Sequence, residues 1–572
     1  MEPVQSPPGI KSQLGSRAGL SGLVLAVRLT EDPNVFVSVL EAGSGNFHDE
    51  NIDVPANLAQ TWGNPNYDWS FFSTPQTAAD RRPIFLPRGK GLGGSTLINV
   101  MELTRASSTE YDGFEILGNP GWNWNSFLKY FKKAQSFNFP PEDAELSGMQ
   151  FDAAVHGTDG PLKKSFPHYI DNIVGPALQT SDMLGIKRNP DPSAGDNRGI
   201  FMATQAIDSD AVRSSAASAY YEPNKDRANL RILTGAKVTR LITEGGPSMD
   251  VRVLGVEYVQ DGSTRTMNAS REVILCAGSY QTPQILELSG IGNPSVLGKH
   301  GIPRVIDLSS VGENHQTYDS MQDPEVAERQ KKLYHEQKTG LFSSVPSLFA
   351  FLPVEAIDND NAIRDSARTL KVDDPNPAVQ KTFKLQQDWI ENELITWIDI
   401  NFIDRYMPGP GIKFESGKAY MTINVMLNHP FNRGSVHIGS SDPLQNPTIE
   451  LNALDNDVDL AILVQTFKLA QKFLTTGPLG ALVEDPTREI KTDDNIKAFL
   501  RQSLGTSYHP VGTVCMLPKA DGGCVDPNLK VYGTANLRVV DASVIPISLS
   551  AHTQATLYAI AEKAADIVKN EN

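Results

Sequence analysis

The sequence predicts an α/β protein with an α+β component, on three observations. An apolar stretch at helical spacing, Leu20–Leu29, passes through a turn at Asp32-Pro33-Asn34 into the β-branched run Val35–Leu40, closed by Glu41-Ala42-Gly43. Helix, turn, strand and acid in that order form the second half of a dinucleotide-binding βαβ unit. The C-terminus repeats the alternation, with a strand at 537–541 and a strongly amphipathic helix over 556–568. Alternating runs at 420–426 and 435–439 predict antiparallel strands, so a second sheet of a different kind accompanies the first.

Composition narrows the function classes. With 572 residues the chain can bury a large core, and 40% apolar with 21% charged residues excludes a disordered or collagen-like protein. Lys and Arg number 51 against 67 Asp and Glu, a net −16. Without a long basic run, that balance argues against nucleic acid, whose phosphates need clustered positive charge. Three cysteines (Cys276, Cys515, Cys524) rule out a disulfide scaffold and leave a single Cys515–Cys524 bridge open. No segment approaches the ~18 apolar residues of a membrane helix. The opening residues show no basic region followed by an apolar core, and Asn268-Ala269-Ser270 is a lone sequon. A soluble, cytoplasmic or otherwise intracellular protein acting on a small molecule is the expectation.

Along the chain, the first sixteen residues read as irregular, and 48–87 reads as an excursion rich in Asn, Pro and Trp. Its aromatics (Trp62, Trp69, Phe71, Phe72) suit an aryl pocket, although aromatic residues more often fill a core. Helical spacing continues over 124–137, a buried strand ending in glycine is expected at 273–278, and 320–395 reads as charged and irregular.

Four stretches carry chemistry. Glu41 lies about 20 residues beyond Gly22, where a dinucleotide fold places the carboxylate that binds a ribose hydroxyl; a solvated loop acid is the plainer alternative. The glycine fingerprint before it is Arg17-Ala18-Gly19-Leu20-Ser21-Gly22. Gly19 and Gly22 occupy the second and third glycine positions, but Arg17 replaces the first, and 10–14 makes a poor buried strand upstream. Arg88-Gly89-Lys90-Gly91-Leu92-Gly93-Gly94-Ser95 lets main-chain amides approach a phosphate or a flavin ring. Finally, His509 (Ser507-Tyr508-His509-Pro510) and His552 (Ser550-Ala551-His552-Thr553) are separated by a strand and a loop that can return both to one pocket. Histidine is the side chain best placed to take a proton near neutrality. No metal-binding pattern such as H-E-x-x-H occurs, so no metal ligand is assigned.

Together these stretches resemble the glucose–methanol–choline (GMC) family of flavin oxidoreductases. Residues 88–99, running from Arg88 to Asn99, match its first signature, and 278–286 with Leu288-Ser289-Gly290-Ile291-Gly292 match its second. Asn119-Pro120-Gly121-Trp122, Arg213-Ser214-Ser215 and Val539-Val540-Asp541-Ala542-Ser543 match as well, and the similarity covers nearly the whole chain after Gly19. The tail 551–559 looks most like fungal members, including those of secondary-metabolite pathways.

The resemblance implies a discontinuous FAD-binding, Rossmann-like domain (1–47, 85–110, 201–320 and 505–572) and a substrate domain on an antiparallel sheet (48–84, 111–200 and 321–504). It implies that Glu41 holds the adenosine ribose and that Val238 touches the adenine through its backbone. The loop containing Arg88, Gly91, Gly94, Ser95 and Asn99 would lie along the pyrophosphate and flavin, with Asp541 closing the other side. His509 would take the alcohol proton as hydride leaves for the flavin, and His552 would hydrogen-bond the same oxygen. The expected activity is oxidation of a small aryl or polyketide-type alcohol. A flavin-containing dehydrative cyclase and a flavin-deficient, non-catalytic relative are the alternatives. Three departures from the family pattern bear on this: Arg17, Val100 in place of a common glycine, and 314–318 (Asn-His-Gln-Thr-Tyr) in place of Asn-Leu-Gln-Asp-His.

Overall fold

The computed structural model describes residues 11–138, 151–246, 250–316, 343, 345, 347–372, 374–404, 415, 418–484 and 487–571. Residues 1–10 and Thr317-Tyr318 of the altered loop lie outside the described residues.

Strand β1 (Lys11–Ser16), helix α1 (Leu20–Leu29) and strand β2 (Val35–Leu40) form a complete βαβ unit. Residues 11–16 are therefore not irregular, and the strand expected to be poor is central. It pairs in parallel with β2 from Lys11↔Val35 to Ser16↔Leu40, and on its other edge with Glu272–Leu275. Backbone ladders on both edges override weak local propensity.

Further along come β3 (Gly199–Met202), β4 (Leu230–Leu233), β5 (Lys237–Glu244), β6 (Arg252–Gln260), β7 (Ser263–Asn268) and β8 (Glu272–Leu275). Helix α2 (Gly278–Leu288) follows, then β9 (Leu348–Leu352), β10 (Ile398–Ile403), β11 (Thr422–Leu427), β12 (Ser435–His437), helix α3 (Asp457–Thr475), β13 (Leu537–Val539) and helix α4 (Thr553–Asn570). The parallel sheet has the order β13-β8-β1-β2-β4, and one face is covered by α1 packed on α4. The antiparallel sheet has the order β11-β10-β9-β3, and α3 packs against it. Each sheet centres its own apolar core. The expected helix over 124–137 stops at Ala134, because Gln135–Phe137 is captured as a short strand by Leu162–Lys164. Within 320–395, residues read as irregular include β9 and the helices Ala362–Thr369 and Pro377–Trp389. All three cysteines are buried and free, so Cys515 and Cys524 form no bridge.

Candidate functional site

The carboxyl ends of the parallel strands meet where β1 lies between β2 and β8 and the strand order reverses, the switch point at which open α/β sheets bind ligands. Arg17, Glu41, Cys276 and Asp541 all follow those ends. Glu41 is buried, and its carboxylate accepts the backbone N–H groups of Ala18 (3.0 Å) and Gly43 (2.8 Å). Burial pushes its pKa up, while the Arg17 charge and these N–H groups oppose the shift.

The Gly-rich loop lies across the ends of β1 and β2. Gly93 N–H donates to the Ala18 carbonyl at 2.7 Å, and Leu92 N–H to that of Ser44 at 3.1 Å. Gly94 is required by this approach. Its φ is +54°, and a Cβ there would meet the Gly19 Cα at 2.8 Å. Ser95 Oγ accepts the Gly89 N–H at 3.2 Å, closing the loop on itself. Gly91 pairs with Ser44 in an isolated bridge, and Gly19 begins α1 with no side chain capping the first turn. Val238 is buried in β5, an outer strand of its sheet.

Arg17 adopts φ +82°, although it lacks glycine's freedom, and its side chain is only 7% exposed. The guanidinium stacks over Trp69 at 4.5 Å and donates to Gln281, while Nε is buried with no partner. Burial lowers its pKa to about 10, so it stays cationic at neutral pH.

The two other polar anchors serve the scaffold. Asp541 accepts from Gly278 N–H (2.9 Å) and Thr282 Oγ1 (2.7 Å), tying the end of β13 to the start of α2. Asn99 donates to Gln554 at 2.5 Å and accepts from Arg213 at 2.7 Å, joining the Gly-rich loop to α4. Arg88 donates to the carbonyl of Tyr508 at 2.5 Å, which places the loop beside His509.

His509 and His552 do come together. Their rings meet edge to face, with centroids 5.1 Å apart and planes at 86°. Ser507 Oγ lies 3.3 Å from His509 Nδ1. Thr104 Oγ1 accepts the His552 backbone N–H at 2.8 Å and lies 3.1 Å from its Nδ1. A hydroxyl that has accepted one N–H can still donate, which would place the imidazole proton on Nε2. Burial holds His509 well below its usual pKa, with His552 and Arg88 adding to the effect, and burial alone lowers His552 to about 4. Two neutral imidazoles at one wall can accept one proton and position one oxygen.

The GMC oxidoreductase family model matches the chain in two parts, an N-terminal part over residues 15–318 and a C-terminal part over 430–561. The chain belongs to the GMC oxidoreductase family. It is 35% identical to the GMC oxidoreductase family protein Mala s 12 of Malassezia sympodialis, over 96% of this chain and 91% of that one. It is 33% identical to the dehydrogenase citC of Monascus ruber, over 97% and 95% of the two chains. Among solved structures, an FAD-dependent oxidoreductase from Chaetomium thermophilum superposes with a TM-score of 0.89 at 29% identity, covering 98% of this chain and 99% of that one. A fungal aryl-alcohol oxidase superposes with a TM-score of 0.86 at 26% identity, covering 99% and 100%. Membership makes the chain an FAD-dependent oxidoreductase with fungal relatives.

The residues present fit that cofactor of the GMC family. The buried cation of Arg17, with its unpartnered Nε, stands beside the uncapped first turn of α1, where a diphosphate is favoured. Glu41 has a carboxylate anchored for a ribose. Among the described residues no helix is long and apolar enough to cross a membrane, and no group of three His, Cys, Asp or Glu side chains is placed to hold a metal.

Of the expected pocket aromatics, Trp62 stacks edge-on to Tyr508 at 5.2 Å, Phe71 is core, Phe72 is 56% exposed and Trp69 underlies Arg17. Phe349 reaches His552, with ring centroids 5.1 Å apart, and lies in a cluster with Phe201 and Phe351. Sequence reasoning missed it because Leu348–Leu352 lies inside a stretch read as irregular. Its run of five apolar residues was the available signal.

Proposed function

We propose that the protein oxidises the CH–OH group of a small aryl or polyketide-type alcohol, with His509 as the base. The paired, neutral histidines beside the phenylalanine cluster carry this reading. The similarity to an aryl-alcohol oxidase and to fungal dehydrogenases supports the substrate class. FAD, when bound, supplies the two-electron acceptor that takes hydride from the carbinol carbon.

The chain's own residues do the remaining work. Glu41, Val238, the loop from Arg88 to Asn99, Arg17 and the first turn of α1 hold the cofactor, and Asp541 fixes the turn that closes its site. The hydroxyl proton passes to the His509 ring nitrogen remote from Ser507, Nε2. His552, oriented by Thr104, donates from Nε2 to the same oxygen and holds the carbinol carbon in line. Phe349 excludes water from the wall.

Anaerobic titration of the purified yellow protein with aryl alcohols tests this. Bleaching of the flavin band, with one aldehyde or ketone formed per flavin, is expected. Product formation without bleaching would move the reaction to the redox-neutral cyclase, and a colourless protein would remove the redox reading.

A further inference from the structure

The antiparallel sheet turns one face toward the histidines, and that face is unusual. Strand alternation separates its two sides. Leu348, Ala350, Ile398 and Ile400 belong to the apolar core beneath, so Phe349 and Phe351 face the opposite way. Directly paired residues share a face: Phe351 is opposite Asp399, and Phe349 is opposite Asn401 on one side and Phe201 on the other. Phe349 in turn packs on His552. Asp399 and Asn401 therefore stand beside the aromatic wall of the reaction site.

Glu102 joins them from a second direction. It lies two residues before Thr104, the partner of His552, and bridges Gln205 across an extended pairing. Ser347 Oγ approaches its carboxyl at 3.5 Å, and the Glu102 and Asp399 carboxyls feel each other's charge.

Four oxygens in this group are buried with no hydrogen-bond partner: Glu102 Oε2, Gln205 Oε1, Asp399 Oδ1 and Asn401 Oδ1. Glu102 and Asp399 are each only 4% exposed, and Gln205 is fully buried. Folded chains rarely leave one buried acceptor unpaired, and four together, lined by phenylalanines, describe a surface awaiting donors. Burial pushes both carboxyls well above their usual range, which favours their protonated form. A neutral acid offers an acceptor oxygen and an O–H, which matches a phenolic hydroxyl, itself a donor and an acceptor.

We propose that Glu102, Asp399 and Asn401, beside Phe349 and Phe351, form a subsite selecting aromatic alcohols whose ring carries hydroxyl groups. The proposal rests on the alcohol-oxidising reading and names the substrate class within it. A site built to hydrogen-bond a substrate hydroxyl discriminates strongly against an analogue lacking it, because its own polar groups are then left unpaired.

The test compares benzyl alcohol, 3,4-dihydroxybenzyl alcohol and 3,4-dimethoxybenzyl alcohol in anaerobic flavin bleaching. Alongside, calorimetry measures binding of catechol and 1,2-dimethoxybenzene, which have no carbinol, to the holoprotein. Preference for the hydroxylated member by at least about tenfold is expected in both series. Asp399→Leu should erase the preference and Asp399→Asn, which keeps an acceptor, should retain most of it. Equal handling of hydroxylated and methoxylated rings by the wild-type protein overturns the proposal without needing any variant, and so does tighter binding of benzylamine than of catechol. If no alcohol bleaches the flavin while catechol still binds preferentially, the subsite stands and the oxidation reading falls.

Discussion

His509 is the proposed base, and its environment makes a pH prediction. Burial, with His552 and Arg88 adding to it, holds its pKa well below the ordinary 6.5. The ring is then held in its neutral form at neutral pH. The acidic limb of kcat/KM is expected below pH 6.5, and a limb at or above that value would show that another group is the base. The linked stability effect has a definite sign. The unfolded chain takes up protons first as pH falls below about 6.5, so stability contributed by the neutral rings is lost from there downward. His509→Asn is expected to lower kcat by about 10²- to 10⁴-fold while the flavin spectrum is retained. Arg17 makes the second residue-scale prediction. Its left-handed backbone conformation costs ~1 kcal/mol, which Arg17→Gly relieves. The same change removes the buried cation, so flavin affinity should fall about tenfold, as read by fluorescence titration of the apoprotein. A gain in affinity would show that the side chain obstructs the cleft.

At the scale of elements, contacts distant in sequence set the site. Helix α1 can start where it does because Gly22 lets it close on Arg17: a Cβ at Gly22 would lie 2.0 Å from the Arg17 carbonyl oxygen. Gly22→Ala should therefore destabilise the protein by ~3 kcal/mol and reduce flavin content, as measured by chemical denaturation and absorbance. A second clamp holds β12 to α2. His437 contacts Glu287 at 2.7 Å and Glu313 at 3.1 Å, and the Ile438 N–H donates to Glu287 at 2.8 Å. Burial works against the His437 charge, but the two carboxylates prevail and raise its pKa to about 10. Its contribution is complete below the unfolded value of about 6.5 and is lost as pH rises through about 10. His437→Gln should cost about 3 kcal/mol at pH 6, with the difference from wild type narrowing as pH rises from about 6.5 to about 10.

Over the whole molecule, the two sheets have separate apolar cores, and in the proposed function the parallel one carries the cofactor residues and the antiparallel one the substrate wall. Strand β3 begins at Gly199, so the antiparallel sheet crosses the expected domain boundary at residue 200. Since no cysteine is bridged, a reducing agent should leave the melting temperature unchanged, and alkylation after denaturation should modify three thiols. A reduction-sensitive melting temperature would indicate a Cys515–Cys524 bond. Most of the proposed cofactor side was named in the sequence, because Glu41 follows a βαβ pattern and Gly94, Ser95 and Asn99 sit in one short run that matches the family signature. The substrate side was not. Asp399, Asn401 and Phe349 come from strands whose neighbours are far away in the chain, and their shared face exists only once the register is set.

The sequence by itself determined the α/β class, the α1–β2 unit with its acid, the Gly-rich loop and the pair of candidate histidines. Periodicity, turn residues and local charge are encoded within a few residues, so they survive without a fold. Tertiary structure alone decided that 11–16 is the central strand, that Arg17 can occupy a glycine's place, and that His509 and His552 lie ring to ring. Each depends on partners tens to hundreds of residues distant, whose hydrogen bonds and burial outweigh local preference.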